Sequence, residues 1–167
     1  YKVASATLVE PHLLRRIAMT GKPVILSTGL ATLAEVCEAV EIVRAAGNDQ
    51  IVVLQCTTNY PSALADANLR AMDTMRQALG TLVGYSDHTP GLEVALAAVA
   101  LGACIIEKHF TLDKNLPGPD HQASSEPEEL KALLRGIRKV ESSLGDGRKV
   151  PALCEANTAA VGRKSLI

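Results

Sequence analysis

Short apolar runs alternate with amphipathic segments along most of this chain. The runs lack polar alternation, which predicts strands that are covered on both faces of a sheet. These strands are predicted over residues 1–5, 23–27, 51–56, 81–85 and 104–110. Segments with a helical spacing of apolar residues separate them, so the pattern predicts parallel βα units with right-handed crossovers.

The segments between the predicted strands carry signals for helix ends. Helices are predicted over residues 10–20, 32–46, 68–79, 91–102 and 126–144. Thr32 and Glu35 have the spacing of a capping box, and Ser125 is predicted to cap the last of these helices. Residues 111–125 are predicted to form a polar loop, and residues 145–167 to be irregular.

Two architectures accommodate such a series of units, namely an open doubly wound sheet and a (β/α)8 barrel. Neither GxGxxG nor GxxxxGK[ST] follows a predicted strand, so the nucleotide-binding fingerprints are absent. In both architectures, binding and catalytic sites lie beyond the carboxyl ends of the strands.

Reactive polar side chains are concentrated at the carboxyl ends of the predicted strands. They are Ser5 and the residues at 27–29, 57–60, 86–89 and 107–109. The amino ends of the strands carry no comparable cluster. We therefore expect the functional site at the carboxyl edge of the sheet.

His88 and His109 end neighbouring predicted strands, 21 residues apart in the sequence. Two neutral imidazoles at this edge could share a divalent metal ion, or they could simply be hydrogen-bonded. Asp87 and Glu107 are plausible outer carboxylates for such a site. With two imidazoles and the other positions left to water or substrate, Mn²⁺ or Mg²⁺ fits better than a structural zinc ion.

Lys2, Ser5, Ser27 and Thr58 lie at the same predicted edge, where a lysine and several hydroxyls could cradle a phosphate or carboxylate. The alternative is that they only cap strand ends. Asp120 lies in the stiff segment PGPDH, which could fix its carboxylate or be a plain turn.

Lys108 has two possible roles. It could form a Schiff base with a carbonyl substrate. Strand alternation instead turns Lys108 toward the helices if Glu107 and His109 point to the opposite face. We therefore expect a structural ion pair at Lys108.

Composition narrows the classes of function. Among 167 residues, 17 Lys and Arg and 18 Asp and Glu give a net charge of −1, which excludes electrostatic nucleic-acid binding as the main role. Aromatic residues make up 2%, too few for a base-stacking platform. The longest apolar run has 13 residues, whereas a membrane helix needs about 20. We expect a cytoplasmic protein without a membrane span.

The four cysteines form no CxxC pair, which argues against a zinc ribbon or a thioredoxin-like site. We expect four reduced and mostly buried thiols.

Six sequence blocks, in this order, resemble the sialic acid synthase family, which includes the N-acetylneuraminate, legionaminic acid and pseudaminic acid synthases. The blocks are KPVILSTGLAT, LQCTTNYPS, NLRAM, GYSDHTPG, ALGACIIEKHFTLD and PGPDHQAS. The resemblance implies a (β/α)8 barrel, followed in the family by a small antifreeze-like domain. It also implies condensation of phosphoenolpyruvate with an N-acetylated hexosamine, such as N-acetylmannosamine, to a nine-carbon 2-keto acid with release of phosphate.

The resemblance also implies roles for individual residues. His88 and His109 resemble the two metal ligands of the family, with Mn²⁺ expected and Mg²⁺ or Co²⁺ possible. The residues that resemble groups holding phosphoenolpyruvate are Lys2, Ser5, Ser27 and, where some members have asparagine, Thr58. Tyr60 and Asp120 resemble sugar-contacting residues. Gln55 stands where relatives often have histidine.

The chain departs from the family pattern in extent. Its five strands match the fourth to the eighth strand of the barrel, and it starts at Tyr1 rather than at a methionine. We expect residues 1–147 to be the carboxyl-terminal part of the barrel and residues 148–167 a linker toward the antifreeze-like domain. The complete enzyme is expected to be a homodimer, and the isolated chain to be an inactive fragment.

Overall fold

The computed structural model describes residues 1–162 and contains one parallel sheet of five strands. The strands are β1 (Lys2–Val3), β2 (Val24–Ser27), β3 (Ile51–Cys56), β4 (Leu82–Asp87) and β5 (Ile106–Lys108). They lie side by side in chain order, and each neighbouring pair is parallel. The predicted series of parallel βα units is therefore confirmed.

Helices connect consecutive strands and continue after the last one. They are α1 (Pro11–Ala18), α2 (Leu33–Ala45), α3 (Ala71–Leu79), α4 (Glu93–Ala100), α5 (Pro127–Ser143) and α6 (Ala156–Gly162). The prediction that the chain is irregular after residue 145 is wrong, because a short 3-10 turn, Leu153–Glu155, leads into α6. Whether residues 148–167 act as a linker stays a prediction, and residues 163–167 lie outside the described part of the chain.

The two predicted helix caps have different outcomes. The capping box of α2 is confirmed, since the Thr32 hydroxyl accepts from the Glu35 amide and the Thr32 amide donates to the Glu35 carboxylate. The cap of α5 is Glu126 and not Ser125. Ser125 instead pairs with the chain that leaves β5, donating to the His109 carbonyl at 2.8 Å and accepting from the Thr111 amide at 3.0 Å.

The side of the sheet that faces the helices carries the main apolar core. Val3, Leu26, Val53 and Val83 lie next to one another in register on this outer face, and each is at most 2% exposed. Buried residues of the helices, such as Leu14, complete the core. This face accounts for the apolar character of the strands.

The sheet curls into half of a barrel. Four steps of about 4.8 Å would hold the edge strands of a flat five-stranded sheet some 19 Å apart. Here Lys2 of β1 and Glu107 of β5 meet across the concave side, with Nζ and Oε1 3.4 Å apart. Gly84 allows close packing on this inner face, because a Cβ there would lie 2.5 Å from the Ile105 carbonyl oxygen and 2.6 Å from Leu54 Cδ2. The prediction of a partial TIM barrel is confirmed.

The cysteines are all free, but the expectation that most are buried is wrong. Cys56 is buried, Cys37 is half-buried, and Cys104 and Cys154 are exposed. Cys104 lies in the turn between α4 and β5, and Cys154 lies in the 3-10 turn before α6. Across residues 1–162, no helix has both the length and the apolar character needed to cross a membrane.

Candidate active site

The inner face of the half-barrel is lined with polar side chains at the carboxyl ends of its strands. Ser86 of β4 and Glu107 of β5 are neighbours in register, and the Ser86 hydroxyl donates to Glu107 Oε1 at 2.7 Å. The same carboxylate oxygen lies 3.4 Å from Lys2 Nζ. Glu107 therefore links both edges of the sheet and holds the Lys2 ammonium over the concave side.

Three aromatic rings meet just beyond β3, β4 and β5. The imidazoles of His88 and His109 have their centroids 5.2 Å apart. The Tyr60 ring stands edge-on to both, at 4.2 Å from His88 and 5.2 Å from His109. The structure thus brings together the two predicted metal ligands and one predicted sugar-contacting residue.

The surroundings of His88 fix which nitrogen can bind a ligand. His88 Nδ1 lies 3.0 Å from the Thr57 carbonyl oxygen. Because a carbonyl only accepts, Nδ1 carries the proton and Nε2 keeps its lone pair. Burial lowers the pKa of His88, which favours the neutral imidazole that a metal ion requires.

His109 lies where β5 leads into the loop that carries Asp120. Its Nδ1 is 3.9 Å from Asp120 Oδ2, which is too long for a hydrogen bond but close enough for an electrostatic contact. The Ser125 amide donates to the His109 carbonyl at 2.8 Å, and the Ser124 hydroxyl donates to the Asp120 carbonyl at 2.7 Å. The loop is thereby tied down at both ends, with Asp120 beside the imidazoles.

A pocket of hydroxyl groups lies at the ends of β1, β2 and β3. The Gly29 amide donates to Ser5 Oγ at 2.9 Å. A Cβ at Gly29 would lie 2.0 Å from Thr58 Oγ1 and 2.8 Å from Ser5 Oγ, so only glycine lets these two hydroxyls converge. The hydroxyls of Ser27 and Thr58 are buried without a hydrogen-bond partner in the described part of the chain. We call Ser5, Ser27, Gly29 and Thr58 the hydroxyl cradle.

Cys56 joins the hydroxyl cradle to the ring cluster. Its Sγ lies 3.6 Å from Ser5 Oγ on one side and 4.0 Å from His88 Nδ1 on the other. We assigned no role to Cys56 or Ser86 from the sequence. Alternation along β3 and β4 is the signal that could have found them, because both side chains share the inner face with His88.

The structure places Lys108 and Gln55 on the outer face. Lys108 Nζ lies 2.8 Å from Asp87 Oδ2, and both side chains are buried, at 8% and 0% exposure. The predicted ion pair is confirmed, and the Lys108 amine points away from the site. Gln55 donates to the Ala67 carbonyl at 3.2 Å, so this side chain holds the loop before α3.

The donor set fits a metal ion that is held by two imidazoles. Within residues 1–162, no group of three or more His, Cys, Asp or Glu side chains is arranged to hold a metal ion. The imidazoles of His88 and His109, with centroids 5.2 Å apart, would be the protein ligands of such an ion, with the remaining positions open to water or substrate oxygen. An open set of nitrogen and oxygen donors of this kind suits Mn²⁺.

Comparison with known proteins identifies the family of this chain. Residues 1–149 match the NeuB family. The chain is 47% identical over 169 residues to the N,N'-diacetyllegionaminic acid synthase of Campylobacter jejuni, covering 100% of this chain and 51% of that protein. The Legionella pneumophila enzyme of the same name is 46% identical, with 99% of this chain and 48% of that protein covered.

The fold of this chain is also similar to that of solved structures of related synthases. The N-acetylneuraminic acid synthetase from Leptospira borgpetersenii, crystallised with citrate, superposes with a TM-score of 0.88 at 38% identity. The match covers 96% of this chain and 56% of that chain. This chain thus spans about half the length of the relatives it matches.

Proposed function

The chain belongs to the NeuB family, and from that premise we propose that it carries the metal and phosphoenolpyruvate sites of a sialic-acid-type synthase. The reaction is the condensation of phosphoenolpyruvate with an N-acetylated hexosamine such as N-acetylmannosamine. One observation carries the proposal. The imidazole pair lies beside a cradle of buried hydroxyls, two of which have no partner among the described residues.

The hydroxyl cradle has the chemistry to hold the anionic groups of phosphoenolpyruvate. Buried hydroxyls without partners are rare in native proteins, and a ligand oxygen would satisfy those of Ser27 and Thr58. Lys2 supplies positive charge from the neighbouring strand. Its ammonium is held by Glu107 and by its own chain at the Val3 carbonyl, which limits the positions it can take.

The ring cluster is where the hexosamine would bind. His88, through Nε2, and His109 would hold Mn²⁺, which when bound acts as a Lewis acid on the open-chain aldehyde oxygen. Tyr60 presents an exposed ring edge beside both imidazoles, and Asp120 offers a carboxylate to sugar hydroxyls. Phosphoenolpyruvate in the hydroxyl cradle and the hexosamine at the ring cluster would lie on opposite sides of Cys56. Holding the two substrates this close together would supply much of the rate acceleration.

A second candidate has the same reaction class and a different sugar. The two relatives named as N,N'-diacetyllegionaminic acid synthases are the observation that favours it. The hexosamine would then be an N-acetylated precursor of a legionaminic-type acid, bound at the same ring cluster.

The test replaces the matching segment of the Leptospira borgpetersenii synthetase with this chain. We expect the chimera to release phosphate from phosphoenolpyruvate only with N-acetylmannosamine and Mn²⁺ present. The same chimera with His88→Ala and His109→Ala is the matched control and should release none. A folded chimera without turnover on any N-acetylated hexosamine would contradict the proposal. We expect the chain alone to be inactive, because five strands do not close an eight-stranded barrel.

A further inference from the structure

Two contacts on opposite faces of the sheet tie β4 to β5 just before the histidines. On the inner face, Ser86 donates to Glu107. One residue further along each strand, Asp87 and Lys108 are neighbours in register and form the buried outer ion pair. The next residue on each strand is a histidine. The pair that comes directly before the imidazoles is therefore the outer one.

The outer pair also fixes the chain on the far side of His88. Asp87 Oδ1 accepts from the Thr89 amide at 2.9 Å and from the Thr89 hydroxyl at 2.7 Å. Lys108 Nζ donates to the Thr89 carbonyl at 2.8 Å, in addition to its bond with Asp87. Asp87 and Thr89 flank His88, so both neighbours of this residue are held by one buried network.

Stability alone is a poor explanation for such a network. A buried ion pair contributes little net stability compared with a well-packed apolar pair, because both charges lose their hydration. What the pair does provide is a fixed geometry, since Lys108 is bonded to Asp87 Oδ2 and the Thr89 carbonyl at once. That geometry acts on the backbone that carries His88 and His109.

We propose that Asp87 and Lys108 are positioning residues for the metal-binding imidazoles. They touch neither metal nor substrate, and they act by fixing the two strand ends from which His88 and His109 project. This inference rests on the metal site of the proposed function. Removing outer partners of metal ligands typically weakens metal affinity by about 10- to 100-fold, and we expect a loss in this range.

The experiment measures Mn²⁺ affinity by electron paramagnetic resonance in this chain. The variant is Asp87→Asn with Lys108→Met, which removes both charges and leaves no lone buried charge. We expect its Mn²⁺ Kd to rise about 10- to 100-fold. The ring ¹⁵N signals of His88 should also change from one Nδ1-protonated tautomer to a mixture, because the Thr57 contact is no longer held.

Two controls separate positioning from general loss of stability. Val43→Ala opens a cavity in the core away from the site, so it should lower Tm and leave Mn²⁺ affinity unchanged. Glu128→Gln with Lys131→Met removes an exposed ion pair on α5 and should leave the affinity unchanged as well.

The outcomes are distinct. Wild-type Mn²⁺ affinity in the folded double variant would overturn the inference and leave the proposed metal site intact. Absence of Mn²⁺ binding in the wild-type chain would overturn the metal site and this inference with it. If the double variant does not fold, Thr89→Val removes a single hydroxyl from the network. We expect it to weaken Mn²⁺ binding several-fold, and unchanged affinity there would also overturn the inference.

Discussion

Neighbouring residues of the half-barrel meet different surroundings on its two faces. Ser27 points to the inner face, and its buried hydroxyl has no partner in the described part of the chain. Thr28 comes next and turns outward, where its buried hydroxyl donates to the Leu54 carbonyl at 2.9 Å. Both residues are at most 5% exposed, so burial does not explain the difference.

At these positions, the two faces of the sheet differ in whether their buried polar groups have hydrogen-bond partners. On the outer face at this end of the sheet, the Thr28 hydroxyl and the side chains of Asp87 and Lys108 are paired within the protein. The hydroxyls of Ser27 and Thr58 on the inner side keep unused hydrogen-bonding capacity. Such capacity costs stability unless a ligand satisfies it, which is a common feature of binding sites.

The largest effect is expected from the inner imidazoles. Replacing His88 and His109 by alanine in one chain should abolish Mn²⁺ binding, because both proposed ligands are lost and the described residues contain no group of three or more His, Cys, Asp or Glu side chains to replace them. Isothermal titration calorimetry measures the affinity, and circular dichroism checks the fold. A double variant that keeps the wild-type Kd would show that the metal is bound elsewhere.

Truncating an apolar side chain on the outer face should lower stability and leave metal binding unchanged. Leu26 is 0% exposed and packs in the core between the sheet and the helices. Leu26→Ala should lower the free energy of unfolding by about 2–5 kcal/mol, from lost burial and the cavity left behind. Urea unfolding measures the loss. Leu26 takes no part in the Asp87–Lys108 network, so Mn²⁺ affinity of the folded variant should stay unchanged. A large drop would mean that the apolar core also positions the imidazoles.

Ser27 and Thr28 allow a matched test within one strand end. Ser27→Ala removes a hydroxyl without a partner, so stability should be unchanged or slightly higher, while phosphoenolpyruvate binding should weaken by about tenfold. Thr28→Val breaks a buried hydrogen bond and should cost about 1 kcal/mol of stability without changing phosphoenolpyruvate binding. Calorimetry and urea unfolding together give both quantities, and the reverse pattern would refute the division between the faces.

The smallest expected effect is a pH dependence that originates at His88. Burial lowers the pKa of His88 below its ordinary value of 6.5, so the unfolded chain binds the proton more tightly than the folded one. The stability that His88 contributes is therefore fully present above pH 6.5 and is lost as the pH falls through the lower, folded pKa. Urea unfolding between pH 8 and 5 should show a steeper loss for wild type than for His88→Gln. Parallel curves would contradict this origin.

Much of the fold could be predicted because parallel strands are marked by continuous apolar runs. The bounds of β3 agree with the prediction, since the run ends sharply at polar residues. The strand predicted at residues 1–5 is shorter, because Ser5 already begins a 3-10 turn. The cap of α5 could not be predicted, since Ser125 and Glu126 are both able to cap and the pairing of Ser125 with the chain after β5 decides between them.

For the site, the sequence could predict which side chains lie on the same face of a strand, but not how separate backbone segments surround them. Alternation correctly separated His109 and Glu107 from Lys108 on β5. It could not reveal the Thr57 carbonyl that sets the tautomer of His88, or the close approach at Gly29, because these depend on how separate backbone segments meet. The roles of the predicted site residues stay predictions until the variants above are measured.

Because the strands follow one another in chain order, the two parts of the site are encoded by consecutive segments of the sequence. The hydroxyl cradle is built from the ends of β1, β2 and β3, and the imidazole pair from the ends of β4 and β5. Only Cys56 contacts a member of each half among the hydrogen-bonding contacts described above. A stretch of gene from Tyr60 through β5 to the loop that carries Asp120 could therefore be exchanged between relatives, which would change the proposed sugar site and leave the hydroxyl cradle as it was.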